Sequence, residues 1–266
     1  MSFAPLPDGN QLYYEEHGAG APVVLIHGLA DDHGLWRYQV PALATQYRTI
    51  AIDLRGHGAS SKPPGPYSVP LFASDVVALL DHLGIDRAVI IGLSMGGGTA
   101  QTLALEHPDR VVALALLSTS SSFAQATRDR FQSRAAIAER EGMAPVAEGM
   151  IERWFTPRFR QVRPDDVEPT RATVLANDPF AFAASARANS VREWTERLGE
   201  IGCPVLFIGG ADDPGDARSS AATFGARLPD VETVILESAS HLVPVERPEA
   251  VNELLLRFLA RVTAPD

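Results

Sequence analysis

The stretch of this 266-residue chain that could do chemistry is Gly92-Leu93-Ser94-Met95-Gly96-Gly97, a serine set between glycines. A serine hydroxyl is a weak nucleophile until a base takes its proton. The stretch therefore implies acyl-transfer chemistry only if a histidine and a carboxylate can reach Ser94. An apolar run at 88–91 precedes it, and Gly97-Gly98-Thr99-Ala100-Gln101-Thr102-Leu103-Ala104-Leu105 continues it as a helical pattern. G-x-S-x-G needs that strand–turn–helix context, because the turn lifts the hydroxyl above the sheet on a strained backbone. It also aims the next helix's N-terminus at a developing oxyanion.

Seven histidines compete for the role of base. His17 falls in an N-terminal hairpin, His82 and His107 near helix ends, and His57 in the loop Arg55-Gly56-His57-Gly58. His27 ends a strand and shapes a loop, and His33 is a candidate to line a pocket. His241 lies between the last predicted strand and the last predicted helix, on the carboxyl edge of the sheet that also carries Ser94. It is the candidate base. The acid that orients the imidazole belongs on the same edge. Ser118-Thr119-Ser120-Ser121-Ser122 offers no carboxylate there, whereas the loop at 207–216 offers Asp212, Asp213 and Asp216. Asp213, just before Pro214, is the choice, with Asp212 the alternative. The order Ser94…Asp213…His241 is the one in which α/β-hydrolases carry their triad. The oxyanion donors expected are the amides of Met95, which follows the nucleophile, and of Leu29, in the turn that Gly28 permits after an early strand.

Positioning these groups is the task of the surrounding elements. Segments 47–53, 87–92, 111–118, 203–210 and 231–238 read as short strands buried on both faces, as a parallel sheet covered by helices demands. Segments 71–84 and 248–262 read as amphipathic helices, the first ending on Gly84 and the second opening on Pro248. Gln11-Leu12-Tyr13-Tyr14-Glu15-Glu16 and the run at 21–28 read as an antiparallel strand leading into the sheet. This alternation predicts a doubly wound α/β fold. Residues 123–198 break the rhythm: they read as helices without a strand and carry twelve arginines against eleven acidic residues. The expected division is a core of 1–122 and 199–266 with a helical cap over 123–198.

Composition narrows the partners. A formal net charge of -10 argues against nucleic acid, which needs a cationic face. No apolar run approaches the ~20 residues of a membrane helix, and the first residues lack a signal peptide's basic and apolar regions. Cys203 is the single cysteine, which rules out an internal disulfide and suits a cytoplasmic protein with a structural thiol. Neither a metal nor a cofactor is called for, and the oligomeric state, homo-oligomer included, stays open.

The motifs His27-Gly28, Asp53-x-Arg55-Gly56-His57-Gly58-x-Ser60, Gly92-x-Ser94-x-Gly96-Gly97, Gly210-x-x-Asp213 and His241 stand in one order over nearly the whole chain. In that order the sequence resembles the α/β-hydrolase superfamily, and within it the 3-oxoadipate enol-lactonases and neighbouring esterases. Pro64-Gly65-Pro66-Tyr67, Arg153-Trp154-Phe155-Thr156-Pro157-x-Phe159 and Val245-Glu246-Arg247-Pro248 carry the closer likeness. The chain departs from enol-lactonases at His27-Gly28-Leu29-Ala30, where they often have Asn-Ser-Leu-Gly, and at Asp213-Pro214-Gly215, where the loop usually runs to Thr-Pro. The resemblance implies a mostly parallel eight-stranded sheet with the cap inserted after the sixth strand. It also implies a cofactor-free serine hydrolase of a small ester or lactone working through an acyl-enzyme. Trp154 and Phe155 would wall the substrate pocket, and Arg153 or Arg158 would meet a substrate carboxylate. Rival activities on the same fold are hydrolysis of a carbon–carbon bond in ring-cleavage diketones, cofactor-free perhydrolysis or haloperoxidation, and slow-turnover ligand reception.

Overall fold

The computed structural model describes residues 2–264. An eight-stranded sheet forms its centre, built from β1 (Ser2–Pro5), β2 (Gln11–His17), β3 (Pro22–Ile26), β4 (Arg48–Ile52), β5 (Ala88–Leu93), β6 (Val111–Leu117), β7 (Val205–Gly210) and β8 (Val231–Leu236). Their spatial order is β1-β2-β4-β3-β5-β6-β7-β8. β1 pairs with β2, and β2 with β4, antiparallel, and every later pairing is parallel. Val, Ile, Leu and Ala fill β3 to β7 because helices cover both faces, and nearly all of their residues are buried.

Helices α1 (Gln39–Leu43), α2 (Val69–His82) and α3 (Met95–Glu106) fall in the first half of the chain. Between β6 and β7 lies a wholly helical segment, α4 (Gln125–Glu141), α5 (Ala144–Trp154), α6 (Pro157–Val162), α7 (Pro164–Ala176) and α8 (Pro179–Ser190). The chain closes with α9 (Ala217–Arg227), α10 (Val243–Glu246) and α11 (Pro248–Val262). Local chemistry sets the helix ends. The Ser68 side chain caps α2 by accepting from Leu71 N, and Gly84 follows that helix at φ +63°, a conformation costly for residues with a Cβ.

Two expectations need correcting. β2 does not continue into the strand after it: β2 pairs with β4, while β3 enters between β4 and β5 as a parallel strand. β8 is not buried on both faces; its residues are half-buried or exposed, because it is the edge strand and only one neighbour covers it. β1, a four-residue strand ending in proline, has too few residues to show a period and goes unread in the sequence.

The strand order reverses between β3 and β5, and crevices that bind ligands open at the carboxyl ends of strands at such a switch point. Ile26 of β3 lies in register with Gly92 of β5, so the loops leaving these strands emerge side by side. The turn carrying Gly28 and Leu29 therefore stands beside Ser94. The loops after β7 and β8 reach the same edge with Asp213 and His241.

Candidate active site

Ser94 sits where β5 hands over to α3, at φ 54° and ψ −107°, outside the regions open to most L-residues. Its surroundings fix that strain. Its carbonyl oxygen accepts three hydrogen bonds: from Thr119 Oγ1 at 2.7 Å, Gly98 N at 3.1 Å and the Arg192 guanidinium at 3.3 Å. The neighbouring glycine is a steric requirement. A Cβ on Gly96 would lie 2.2 Å from the Ile26 carbonyl oxygen and 2.5 Å from that of His27.

The loop after β8 brings His241 to the loop after β7. His241 Nδ1 and Asp213 Oδ2 are 2.8 Å apart, and the second carboxyl oxygen of Asp213 accepts from Gly215 N at 2.7 Å. Burial pushes the Asp213 carboxyl up, but the charge and hydrogen bond of His241, the Gly215 amide and the field of Arg153 outweigh it, and the group is held below its ordinary value. Asp212 is exposed, and the carboxylate bonded to the imidazole is that of Asp213. The indole of Trp154 stacks beside the imidazole, with ring centroids 6.4 Å apart and planes inclined by 19°. Among the described residues no hydrogen bond links Ser94 Oγ directly to His241, an opening common in ligand-free sites that tighten on binding substrate.

One cavity of about 420 Å³ is lined by Ser94, His241, Asp213, Gly28, Leu29 and Trp154, together with other residues of the helical segment between β6 and β7. That volume suits a small molecule. The backbone amides of Leu29 and Met95 donate to no other protein group among the described residues, which leaves both for an oxygen in the site. His27 shapes the Leu29 turn: its Nε2 accepts from Leu54 N at 2.9 Å and its Nδ1 donates to Gly28 O at 2.6 Å. Burial holds its imidazole below the ordinary value, in the neutral form those bonds require.

Sequence reasoning placed some residues wrongly. Phe155 does not line the cavity; it is buried and stacks on Phe159 at 5.5 Å, because it leaves α5 on the side facing the core. Arg158 is exposed, whereas Arg153 lines the cavity. His33 is absent from the cavity wall. It bonds Asp53 through Nδ1 at 2.8 Å and approaches Glu15, and these carboxylates raise it to about 8. Asp53 and Arg55 brace loops: Asp53 also accepts from Ala59 N, and Arg55 makes a two-bond pair with buried Asp75.

Three residues went unread. Arg192 is buried beneath the Ser94 turn with no carboxylate partner; its guanidinium lies 4.5 Å over the Phe123 ring and burial lowers it to about 9. Asp31 lines the cavity just past the Leu29 turn, is 3% exposed, and leaves Oδ2 without a partner among the described residues. Burial and then its neighbour Asp32 raise its carboxyl to about 7. Glu246, also buried, accepts from Ser240 N at 2.5 Å and from Thr156 N and Oγ1 at 2.8 Å, so it ties the loop carrying His241 to the turn between α5 and α6. A glutamate that directly follows the apolar run Leu242-Val243-Pro244-Val245 is the one sequence signal for it.

Comparison with known proteins agrees with this architecture. The family model described as alpha/beta hydrolase fold matches residues 21–248. The 3-oxoadipate enol-lactonase 2 of Acinetobacter baylyi is 33% identical over 239 residues, covering 90% of this chain and 88% of its own. The crystal structure of the enol-lactonase from Burkholderia xenovorans superposes with a TM-score of 0.90 at 31% identity, over 97% of this chain and 100% of its own. A malate-bound thermophilic esterase from Thermogutta terrifontis superposes with a TM-score of 0.90 at 31% identity, over 98% of this chain and 97% of its own.

Proposed function

The chain belongs to the α/β-hydrolase fold family, and from that premise we propose that it is a cytoplasmic serine hydrolase that cleaves a small carboxylic ester or lactone through an acyl-enzyme. The observation that carries this reading is the shared cavity, in which a strained serine faces a histidine already bonded to a buried aspartate. Likeness to enol-lactonases and to an esterase supports the ester or lactone bond as the target. Among the described residues no helix is long and apolar enough to cross a membrane.

In this mechanism Ser94 Oγ attacks the carbonyl carbon while His241 Nε2 takes its proton. Asp213 holds Nδ1–H and stabilises the imidazolium, and the amides of Leu29 and Met95 receive the oxyanion. His241 then protonates the leaving alkoxide. A water, deprotonated by the same nitrogen, attacks the acyl-enzyme carbonyl, and the imidazolium returns that proton to Ser94 Oγ as the carbon–Oγ bond breaks and the acid leaves. Residues 123–198 act as a cap that selects substrate, with Trp154 forming the wall beside the imidazole and Arg153 facing the bound molecule.

Ser94→Ala should lower hydrolysis of nitrophenyl acetate by at least about 10⁴-fold. A fluorophosphonate should label the wild-type chain on the peptide holding Ser94. Retention of full esterase activity by the alanine variant would overturn the assignment.

A further inference from the structure

The cavity wall holds more arginine than carboxylate: of the acids that line it, Asp213 is bonded to His241, Asp216 accepts from Ser219 N, and Asp31 is the third. Four arginines line it, Arg130, Arg134, Arg153 and Arg192, and none of them forms an ion pair among the described residues. Elsewhere in residues 123–198, Arg128, Arg140, Arg163, Arg171, Arg187 and Arg197 each meet a carboxylate. Of the six arginines of this segment that meet no carboxylate among the described residues, four line the cavity, and Arg158 and Arg160 lie outside it.

Arg192 is spoken for by the Ser94 carbonyl and the Phe123 ring. Arg153 lies in the field of Asp213. Arg130 and Arg134 remain. They stand four residues apart on one face of α4, where like charges repel. Arg134 makes one long contact, to Gly149 O at 3.3 Å, and burial together with Arg153 and Arg130 lowers it to about 10. Two uncompensated guanidiniums on the wall of a small-molecule cavity are an electrostatic cost that a bound dianion would cancel.

We propose that Arg130 and Arg134, assisted by Arg153, form an anion subsite in the cap wall, and that the substrate carries two negative charges on the part remote from its scissile ester. A phosphate and a pair of carboxylates share the required chemistry: several oxygens arranged to accept from forked N–H donors. The inference rests on the proposed Ser94 chemistry for its substrate but not for its binding site.

Four esters test it: a neutral alkyl butyrate, a monoalkyl succinate, a monoalkyl tricarballylate and a butyrate ester of glycerol 3-phosphate. We expect kcat/KM to rise by about 10-fold or more with each added charge. The last two substrates tell paired carboxylates from phosphate. In Arg134→Gln the ratio of dianionic to neutral kcat/KM should fall by about 10-fold or more, and in Arg134→Lys it should be largely restored. Free tricarballylate or inorganic phosphate should raise the melting temperature of the wild-type chain, and that rise should shrink in Arg134→Gln. Because the substitution removes repulsion, the variant without ligand should melt no lower than wild type. Equal turnover of neutral and dianionic esters, or an equal loss on all four in Arg134→Gln, would overturn the subsite and leave the reaction standing. A melting shift with tricarballylate but no turnover of any ester would support the subsite and overturn the reaction.

Discussion

Asp31 gives the sharpest quantitative test of how this site is built. Its carboxyl is 3% exposed, keeps one hydrogen bond, from Asp32 N to Oδ1 at 3.0 Å, and leaves Oδ2 unpartnered among the described residues. Burial, and then the charge of Asp32, raise it from 3.8 to about 7. A folded value above the unfolded one means that the folded state holds the proton more tightly. The associated stability is fully present below the unfolded value and is lost as pH rises through about 7. The shift corresponds to about 4 kcal/mol when the group is fully ionised, and the linkage relation puts about 2–3 kcal/mol of that between about pH 5 and about pH 9. Asp31→Asn keeps the oxygen that accepts from Asp32 N and cannot ionise. The variant should therefore gain stability over wild type as pH rises, by about 2–3 kcal/mol over that window, or about 5 °C in melting temperature for a chain of this length. Urea unfolding of both proteins at a series of pH values measures the gap directly. A gap that stays flat with pH, or that turns against the variant under alkaline conditions, would refute the burial argument.

Other substitutions test the remaining parts of the site. Asp213→Asn should lower kcat by about 10³–10⁴-fold with little change in KM, because the imidazole loses both its orienting acceptor and the charge that stabilises its protonated form. Gly96→Ala should destabilise the chain by several kcal/mol or prevent its accumulation as soluble protein, since the new methyl would press on the carbonyl oxygens of Ile26 and His27; calorimetry or expression yield would report it. Glu246→Ala removes three hydrogen bonds between the loop carrying His241 and the turn between α5 and α6, and should cost about 3 kcal/mol in denaturant unfolding together with a fall in kcat. Asp75→Asn removes the charge and one acceptor from the two-bond pair with Arg55, which keeps its ion pair to Asp8, and should cost about 1–3 kcal/mol in the same assay.

Those parts of the site with a short-range pattern could be read from the sequence. The strand before Ser94, the helix after it, the capped ends of α2 and the proline start of α11 are all local, so the Ser94 turn and the sheet edge carrying it are legible. That His241 and Asp213 share one sheet edge is legible because each follows a strand of the same parallel pair. What escaped depends on contacts between distant segments. Only the fold shows that Arg192 lies under a carbonyl ninety-eight residues away, while Arg158, in a similar setting by sequence, is exposed. The same holds for Phe155, whose neighbour Trp154 faces the cavity while it faces the core. β8 misled because its valine and isoleucine content suits a central strand, and nothing in its composition says that it lies at the edge.

The two ends of the helical segment between β6 and β7 are fastened together. Ser122 bridges Glu193, Trp194 N donates to Ser121 O at 2.9 Å, and Thr195 Oγ1 lies 2.9 Å from Ser121 Oγ and 3.1 Å from Ser122 Oγ. Entry and exit therefore leave the sheet through a single stitched neck, as in a removable cassette. An engineer could exchange the helices above that neck for those of another hydrolase without moving β6 or β7. The practical cut lies after residue 123 and before residue 192. Phe123 and Arg192 stay with the scaffold, because their stacked pair lies against the Ser94 turn, where a Cβ on Gly98 would lie 1.9 Å from the guanidinium. The helices between β6 and β7 can thus be moved as one piece, whereas the Ser94 turn cannot be separated from the arginine lodged beneath it.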